Sequence, residues 1–251
     1  SATFTPKGRS HWTYELFGQH RPHTELFHAR TSDNPFLPPG FEDTLRAQYP
    51  THFAQQELEG LFIDPPGAVF RREWFRVVAA APEGLRWVRY WDLAVSTKTS
   101  ADYTASVAVA LAADGTVYLR DMVRGRWEWP DQERILITTM LAEPQVQHGI
   151  EKALHGIAAV QALARRRELA HVVVRGISVD KDKLTRALPL AARAEQGKVA
   201  LVRGEWVAAF LDEISAFTGD GTTHDDQIDS ASGGLAMLAT PHGVEYAPSI
   251  W

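Results

Sequence analysis

Beyond about residue 82 the hydrophobic positions fall into regular runs; before it they do not. Leu85 to Leu93 is mostly apolar and ends in Asp92, the pattern of a buried strand. Thr104 to Ala112 is rich in Val and Thr, Asp114-Gly115 supplies a hairpin turn, and Val117 to Val123 returns. Helical spacing follows over Asp131 to Leu141, with Pro130 near its start and acids in its first turn. Gln147 to Lys152 is a short buried strand around Ile150, Ile157 to Leu169 a helix and His171 to Ile177 a β-branched strand. Lys181 to Gln196 is spaced as a helix that Pro189 is expected to split in two, with Gly197 as its C-cap. Val199 to Val202 reads as a strand, Trp206 to Phe217 as a helix and Asp225 to Leu238 as a last helix. The order strand, hairpin, helix, strand, helix, strand, helix predicts an α/β fold: a mixed sheet with an antiparallel edge, not a pure doubly wound one, flanked by helices.

The first third is different. Proline clusters (Pro35, Pro38-Pro39, Pro50, Pro65-Pro66) and aromatics dominate it, and Phe41 to Gly60 fits a helix broken at Pro50, with Leu45, Tyr49, Phe53 and Leu58 on one face. Asp64-Pro65-Pro66-Gly67 is a turn or linker signal, and the expected division is 1–67 and 68–251.

Composition narrows the chemistry. With 251 residues, 45% hydrophobic and 23% charged, the chain has the balance of a globular protein. No run approaches the length of a membrane span and no secretory leader is visible, so no membrane partner is expected. The absence of cysteine excludes disulfides, thiolate zinc sites and a cysteine nucleophile, so any metal must sit on oxygen or imidazole. The net charge of −5 does not advertise nucleic-acid binding, although a local acidic metal site can hide a basic groove in the sum. Beginning Ser1-Ala2-Thr3, the chain reads as part of something longer.

Acids stand in unusual surroundings at three places. Asp92 ends the run Trp87-Val88-Arg89-Tyr90-Trp91, Glu151 follows Gly149-Ile150, and Asp225-Asp226 opens the last helix. A carboxylate among buried strands costs several kcal/mol unless it is paired, hydrogen-bonded or metal-bound. Ordinary explanations exist for two of them: acids suit a helix N-terminus, and Glu151 beside Lys152 can be an exposed strand-end pair. Asp92 resists such an explanation. Carboxylates converging from two strands and a helix start suit Mg²⁺ or Mn²⁺. Two such ions about 3.5–4 Å apart can activate water and steady the leaving oxygen of a phosphodiester.

Trp91-Asp92-Leu93-Ala94, Gly149-Ile150-Glu151-Lys152, Asp182-Lys183-Leu184-Thr185-Arg186-Ala187 and His224-Asp225-Asp226-Gln227-Ile228-Asp229 together resemble the nuclease domain of tailed-phage terminase large subunits. Ser1-Ala2-Thr3 followed by Thr5-Pro6-Lys7-Gly8-Arg9 is similar to the coupling motif near the end of the packaging ATPase in that family, and Thr31-Ser32-Asp33-Asn34-Pro35-Phe36 and Glu57-Leu58-Glu59-Gly60 to the segment joining motor and nuclease. The resemblance implies a ribonuclease H-like nuclease, preceded by a partial motor-domain tail and linker, that cuts concatemeric double-stranded viral DNA with two Mg²⁺ or Mn²⁺ ions. It also implies a portal protein and a small terminase subunit as partners, in the host cytoplasm. No Gly-x-x-x-x-Gly-Lys-Ser/Thr loop occurs, so this chain is not expected to hydrolyse ATP, and it reads as the C-terminal part of a large terminase or a truncated prophage copy.

Carried over by residue, the resemblance makes Asp92, Glu151 and Asp226 catalytic and metal-binding. Asp225 adjoins them as a ligand or support, and Asp229, three residues on, can share the face or take a solvent-side role. His224 is a further ligand or proton relay, or an exposed loop histidine. Lys183 and Arg186 match the family's basic pair, either contacting phosphate or lining a solvated helix face. Two other functions compete: a resolvase- or transposase-type nuclease of the same fold, and a non-catalytic DNA-translocation or portal-docking module.

Overall fold

The computed structural model describes residues 2–6, 12–19, 21–63, 67, 69–94, 102–221 and 224–239. Lys7 to Arg9 of the coupling-like motif and Asp64-Pro65-Pro66 of the linker signal lie outside the described residues.

Two short helices, α1 (Phe41–Arg46) and α2 (Thr51–Glu57), flank Pro50 as the broken periodicity predicts. The sheet follows: β1 (Phe75–Val78), β2 (Trp87–Asp92), β3 (Thr104–Leu111) and β4 (Val117–Gly125). Then α3 (Trp129–Ala142), β5 (Gln147–Glu151), α4 (Leu154–Ala164), β6 (Val174–Ile177), α5 (Lys183–Glu195), β7 (Val199–Val202), α6 (Trp206–Ala216) and α7 (Asp226–Ala239) complete it. The seven strands lie in the order β1-β7-β4-β3-β2-β5-β6. β2 and β4 run antiparallel to β3, whereas β2–β5, β5–β6, β4–β7 and β1–β7 are parallel. This is the expected mixed sheet, but its antiparallel strand, β3, lies in the middle and not at the expected edge, because the hairpin partners β2 and β4 each take a parallel neighbour on their other side.

Helices cover both faces. Val88, Val107, Val109, Leu119 and Leu201 pack with α5, α6 and α7, while Trp91 and Ile150 pack with α3 and α4. β3 is therefore buried along nearly its whole length. The two-residue strand period puts Tyr90 and Asp92 on the α7 side and Arg89 and Trp91 on the other.

Three departures from the expected pattern have physical causes. Helix α5 is continuous through Pro189. The proline forfeits one backbone bond, but Ala187, Leu188, Leu190 and Ala191 are buried on both sides of it and hold the helix to its neighbours. The helix expected to reach Leu169 ends at Ala164, and a separate 3₁₀ turn, Arg167–Leu169, follows. Strand β1 has no counterpart in the periodicity: only four residues long and half exposed, it shows no clear alternation, and parallel pairing to β7 defines it.

The described residues before position 64 contain no strand. Phe4, Tyr14, Phe17 and Phe62 pack on one another, but Trp12, Leu16, Phe27 and Phe36 stay exposed. The Thr51 N–H reaches Glu195 of α5, and past the linker the Val69 N–H bonds the Phe217 carbonyl, with Phe70 in the core. Among the described residues no helix is long and apolar enough to cross a membrane.

Candidate metal centre

The central strand and its parallel neighbour bring the first two acids together. Trp91 is in register with Ile150, so Asp92 and Glu151 follow at adjacent strand ends. The Tyr90 hydroxyl, on the same face as Asp92, donates to Glu151 Oε2 over 3.0 Å.

Close helix packing brings the remaining acids. A Cβ on Gly233 would lie 2.6 Å from the Tyr90 ring, and one on Gly234 would overlap the Val109 side chain. These two glycines let α7 settle directly on β2 and β3, so its first turn rises beside the end of β2. Asp225, Asp226 and Asp229 are all buried there.

The acids share one electrostatic environment. Burial, and then the charges of Asp229, Glu151 and Asp226, hold the Asp92 carboxyl well above the usual carboxylate range; Lys183 opposes them. Asp229 is pushed up to about 6, mainly by burial and against the pull of Arg186 and Lys183. Asp226 is also raised, by burial and by Asp102 and Asp225, while the Tyr103 backbone N–H and His224 draw it down.

Lys183 and Arg186, one turn apart on α5, reach into this cluster. Lys183 Nζ lies 2.5 Å from Asp225 Oδ1 and 3.3 Å from Asp229 Oδ2; Arg186 lies 2.9 Å from Asp229 and 3.4 Å from Glu151. Burial works against the Lys183 ammonium, but its bond to Asp225 and the charges of Asp229 and Asp225 outweigh it and raise its pKa. Arg186 is largely covered while Lys183 stays partly in solvent, and both side chains neutralise the acids.

A second grouping adjoins the first. Asp102, His224 and Asp226 place ligand atoms within 4.8 Å of one another, with His224 Nδ1 3.9 Å from Asp102 and 4.0 Å from Asp226. Asp226 Oδ2 is buried without a hydrogen-bond partner. An orphaned carboxylate oxygen beside an imidazole and a second carboxylate is a donor set that a divalent cation fits.

Thus Asp92, Glu151, Asp225, Asp226, Asp229, His224, Lys183 and Arg186 all meet at one end of the sheet. The sequence reading missed Asp102, since nothing in its polar surroundings marks it and only the fold sets it against His224. It also missed Tyr103, whose backbone N–H serves Asp226.

Comparison with known proteins agrees with this architecture. Residues 89–238 match the model of the terminase RNaseH-like domain, and residues 2–77 match that of the terminase large subunit, T4likevirus-type, N-terminal. No curated protein matches the chain. Among solved structures, the large terminase of a thermophilic bacteriophage aligns at TM-score 0.63 and 15% identity, over 93% of this chain and 61% of that one. This chain therefore spans about three fifths of that terminase. The large terminase nuclease of thermophilic phage G20c with bound magnesium aligns at TM-score 0.51 and 14% identity, over 69% of this chain and 98% of that one. The human cytomegalovirus terminase nuclease domain, soaked with Mn and inhibitor-bound, aligns at TM-score 0.51 and 15% identity, over 68% and 95%. At these identities the likeness is one of fold.

Proposed function

We propose, from the premise that the chain belongs to the terminase RNaseH-like domain family, that it is a divalent-metal-dependent endodeoxyribonuclease of a viral genome-packaging terminase. One observation carries the reading: half-buried Asp92, at the end of β2 and beside Glu151, shares its environment with Asp226 and Asp229, and desolvation together with these charges holds its carboxyl well above the usual range. A carboxylate cluster that resists ionisation by itself binds a cation favourably, because the ion removes the repulsion.

Asp92, Glu151 and Asp226 would hold the ions, Mg²⁺ or Mn²⁺, with Asp225 and Asp229 beside them and His224 and Asp102 completing the Asp226 side. When bound, such ions supply an activated water and offset the charge that develops on the leaving oxygen. The protein's own groups do the rest. Tyr90 fixes the Glu151 carboxylate, the Tyr103 N–H orients Asp226, and Lys183 and Arg186 hold the α7 acids in place and offer positive charge to a phosphate backbone. Phosphate contacts carry no sequence information, so double-stranded DNA is the expected substrate with little base preference. Portal and small terminase subunits are the partners such a motor requires. Incubating supercoiled plasmid with the protein and Mn²⁺ or Mg²⁺, beside an EDTA control, tests the reading: nicked and linear DNA with metal alone supports it.

A further inference from the structure

The first turn of α7 carries Asp226 and Asp229, and neither is held mainly by its own helix. Gln227, between them, is gripped from α6: its backbone N–H donates to Glu213 Oε1 over 2.8 Å, and its side-chain amide to Glu213 Oε2 over 2.7 Å. Glu213 is buried, so these bonds and its charge partner fix its position. That partner is Arg124 of β4, whose Nη2 lies 2.9 Å from Glu213 Oε2.

Arg124 has a second contact. Its guanidinium carbon sits 3.9 Å from the centroid of the Tyr103 ring, over which Arg126 also lies, at 3.7 Å. Tyr103 gives its backbone N–H to Asp226, and its ring meets His224 edge-on at 5.4 Å. The sheet explains the reach: Asp92 pairs with Ala105, and Ala105 with Arg124, so the three form a row across β2, β3 and β4.

We infer that Arg124 is a positioning residue for the metal centre, setting the first turn of α7 from two sides: through Glu213 on Gln227 and through Tyr103 on Asp226. The inference rests on the reading of Asp226 as an ion-binding carboxylate. Arg124 itself touches neither ion nor DNA in this role. A planar guanidinium suits the task, because it can pair with a carboxylate along its edge while stacking on a ring with its face; an ammonium cannot do both.

The experiment is Mn²⁺ titration by calorimetry with thermal melting of the same samples, on the full chain, for wild type, Asp92→Asn, Arg124→Ala, Arg124→Lys and Tyr103→Ala. Arg124→Ala is expected to weaken Mn²⁺ binding by about tenfold or more, the usual consequence of losing a group that orients a metal ligand. Arg124→Lys keeps the charge beside Glu213 but loses the stack, and is expected to fall between wild type and alanine. Tyr103→Ala keeps the ion pair and should still weaken binding by about tenfold, so it decides the matter if Arg124→Ala does not fold. Folded Arg124→Ala and Tyr103→Ala proteins that bind Mn²⁺ like wild type, whatever their melting temperatures, overturn the inference. If wild type itself binds no Mn²⁺, the functional reading fails and the inference with it. If wild type binds and Asp92→Asn does not, the functional reading stands and the Arg124 and Tyr103 variants alone decide.

Discussion

The Tyr90 hydroxyl donates to Glu151 across 3.0 Å, from a strand position two residues before Asp92. That bond ties the ends of β2 and β5 into one surface, so the two acids cannot swing apart when α7 presses its own carboxylates against them. The site is a cluster of negative charge that the fold assembles against repulsion.

Removing one charge should therefore relieve the metal-free protein. Asp92→Ala is expected to abolish DNA cleavage while leaving the metal-free melting temperature unchanged or higher, since the group lost is the one most disfavoured as an anion. Plasmid cleavage and thermal melting check both halves. A large fall in melting temperature would mean that Asp92 serves structure instead.

Metal binding should follow the titration of the same carboxylates. Asp229 titrates at about 6 in the folded chain, against an ordinary value of 3.8. The folded state thus holds a proton that the unfolded chain has released across that interval. The stabilisation from this proton is complete below about pH 3.8 and gone above about pH 6. Ligation needs the ionised form, so metal affinity runs the opposite way. The rise in melting temperature on adding Mn²⁺ is expected to be small near pH 5 and several degrees near pH 7.5. An equal rise at both would separate the ion from these acids.

Lys183 gives a third test. Its ammonium is bonded to Asp225 and Asp229, and its side chain is 44% exposed. Lys183→Gln should cost only about 1 kcal/mol without metal, because solvent screens the pair. It should also enlarge the stabilisation by Mn²⁺, since the ion then meets uncompensated carboxylates. Unchanged metal stabilisation with a loss confined to DNA affinity would make Lys183 a phosphate contact alone.

Much of this arrangement was legible in the chain. Asp92 stood out because it ends the largely apolar run Trp87 to Trp91, and the hairpin was announced by Asp114-Gly115, where Gly115 has φ of 81°. The strand and helix types followed from periodicity because most of these elements are buried on a regular face. What could not be read depends on contacts between distant segments. Whether Lys183 and Arg186 face solvent, phosphate or acids depends on where α5 lies relative to α7. Arg124 and Glu213 are 89 positions apart and carry no local motif, and Pro189 stays inside a helix because its neighbours bury both halves.

The division expected near residue 67 would show as a protease pattern. The earlier segment leaves Trp12, Phe27 and Phe36 exposed, while Val69 and Phe70 are anchored in the core. Limited proteolysis should cut first before Val69 and leave a fragment that still digests DNA. Equal resistance on both sides, with cleavage lost on trimming, would make the chain a single cooperative unit.

The central claim is that Asp92, Glu151 and Asp226 make this chain a metal-dependent DNA nuclease. Its most direct test is the rate of supercoiled plasmid cleavage in Mn²⁺ by wild type, Asp92→Asn and Asp226→Asn, each matched with an EDTA control. Wild type should produce nicked and then linear DNA, and both variants and every EDTA sample should leave the plasmid supercoiled. Wild-type protein that leaves the plasmid intact, or variants that cut as fast as wild type, would contradict it.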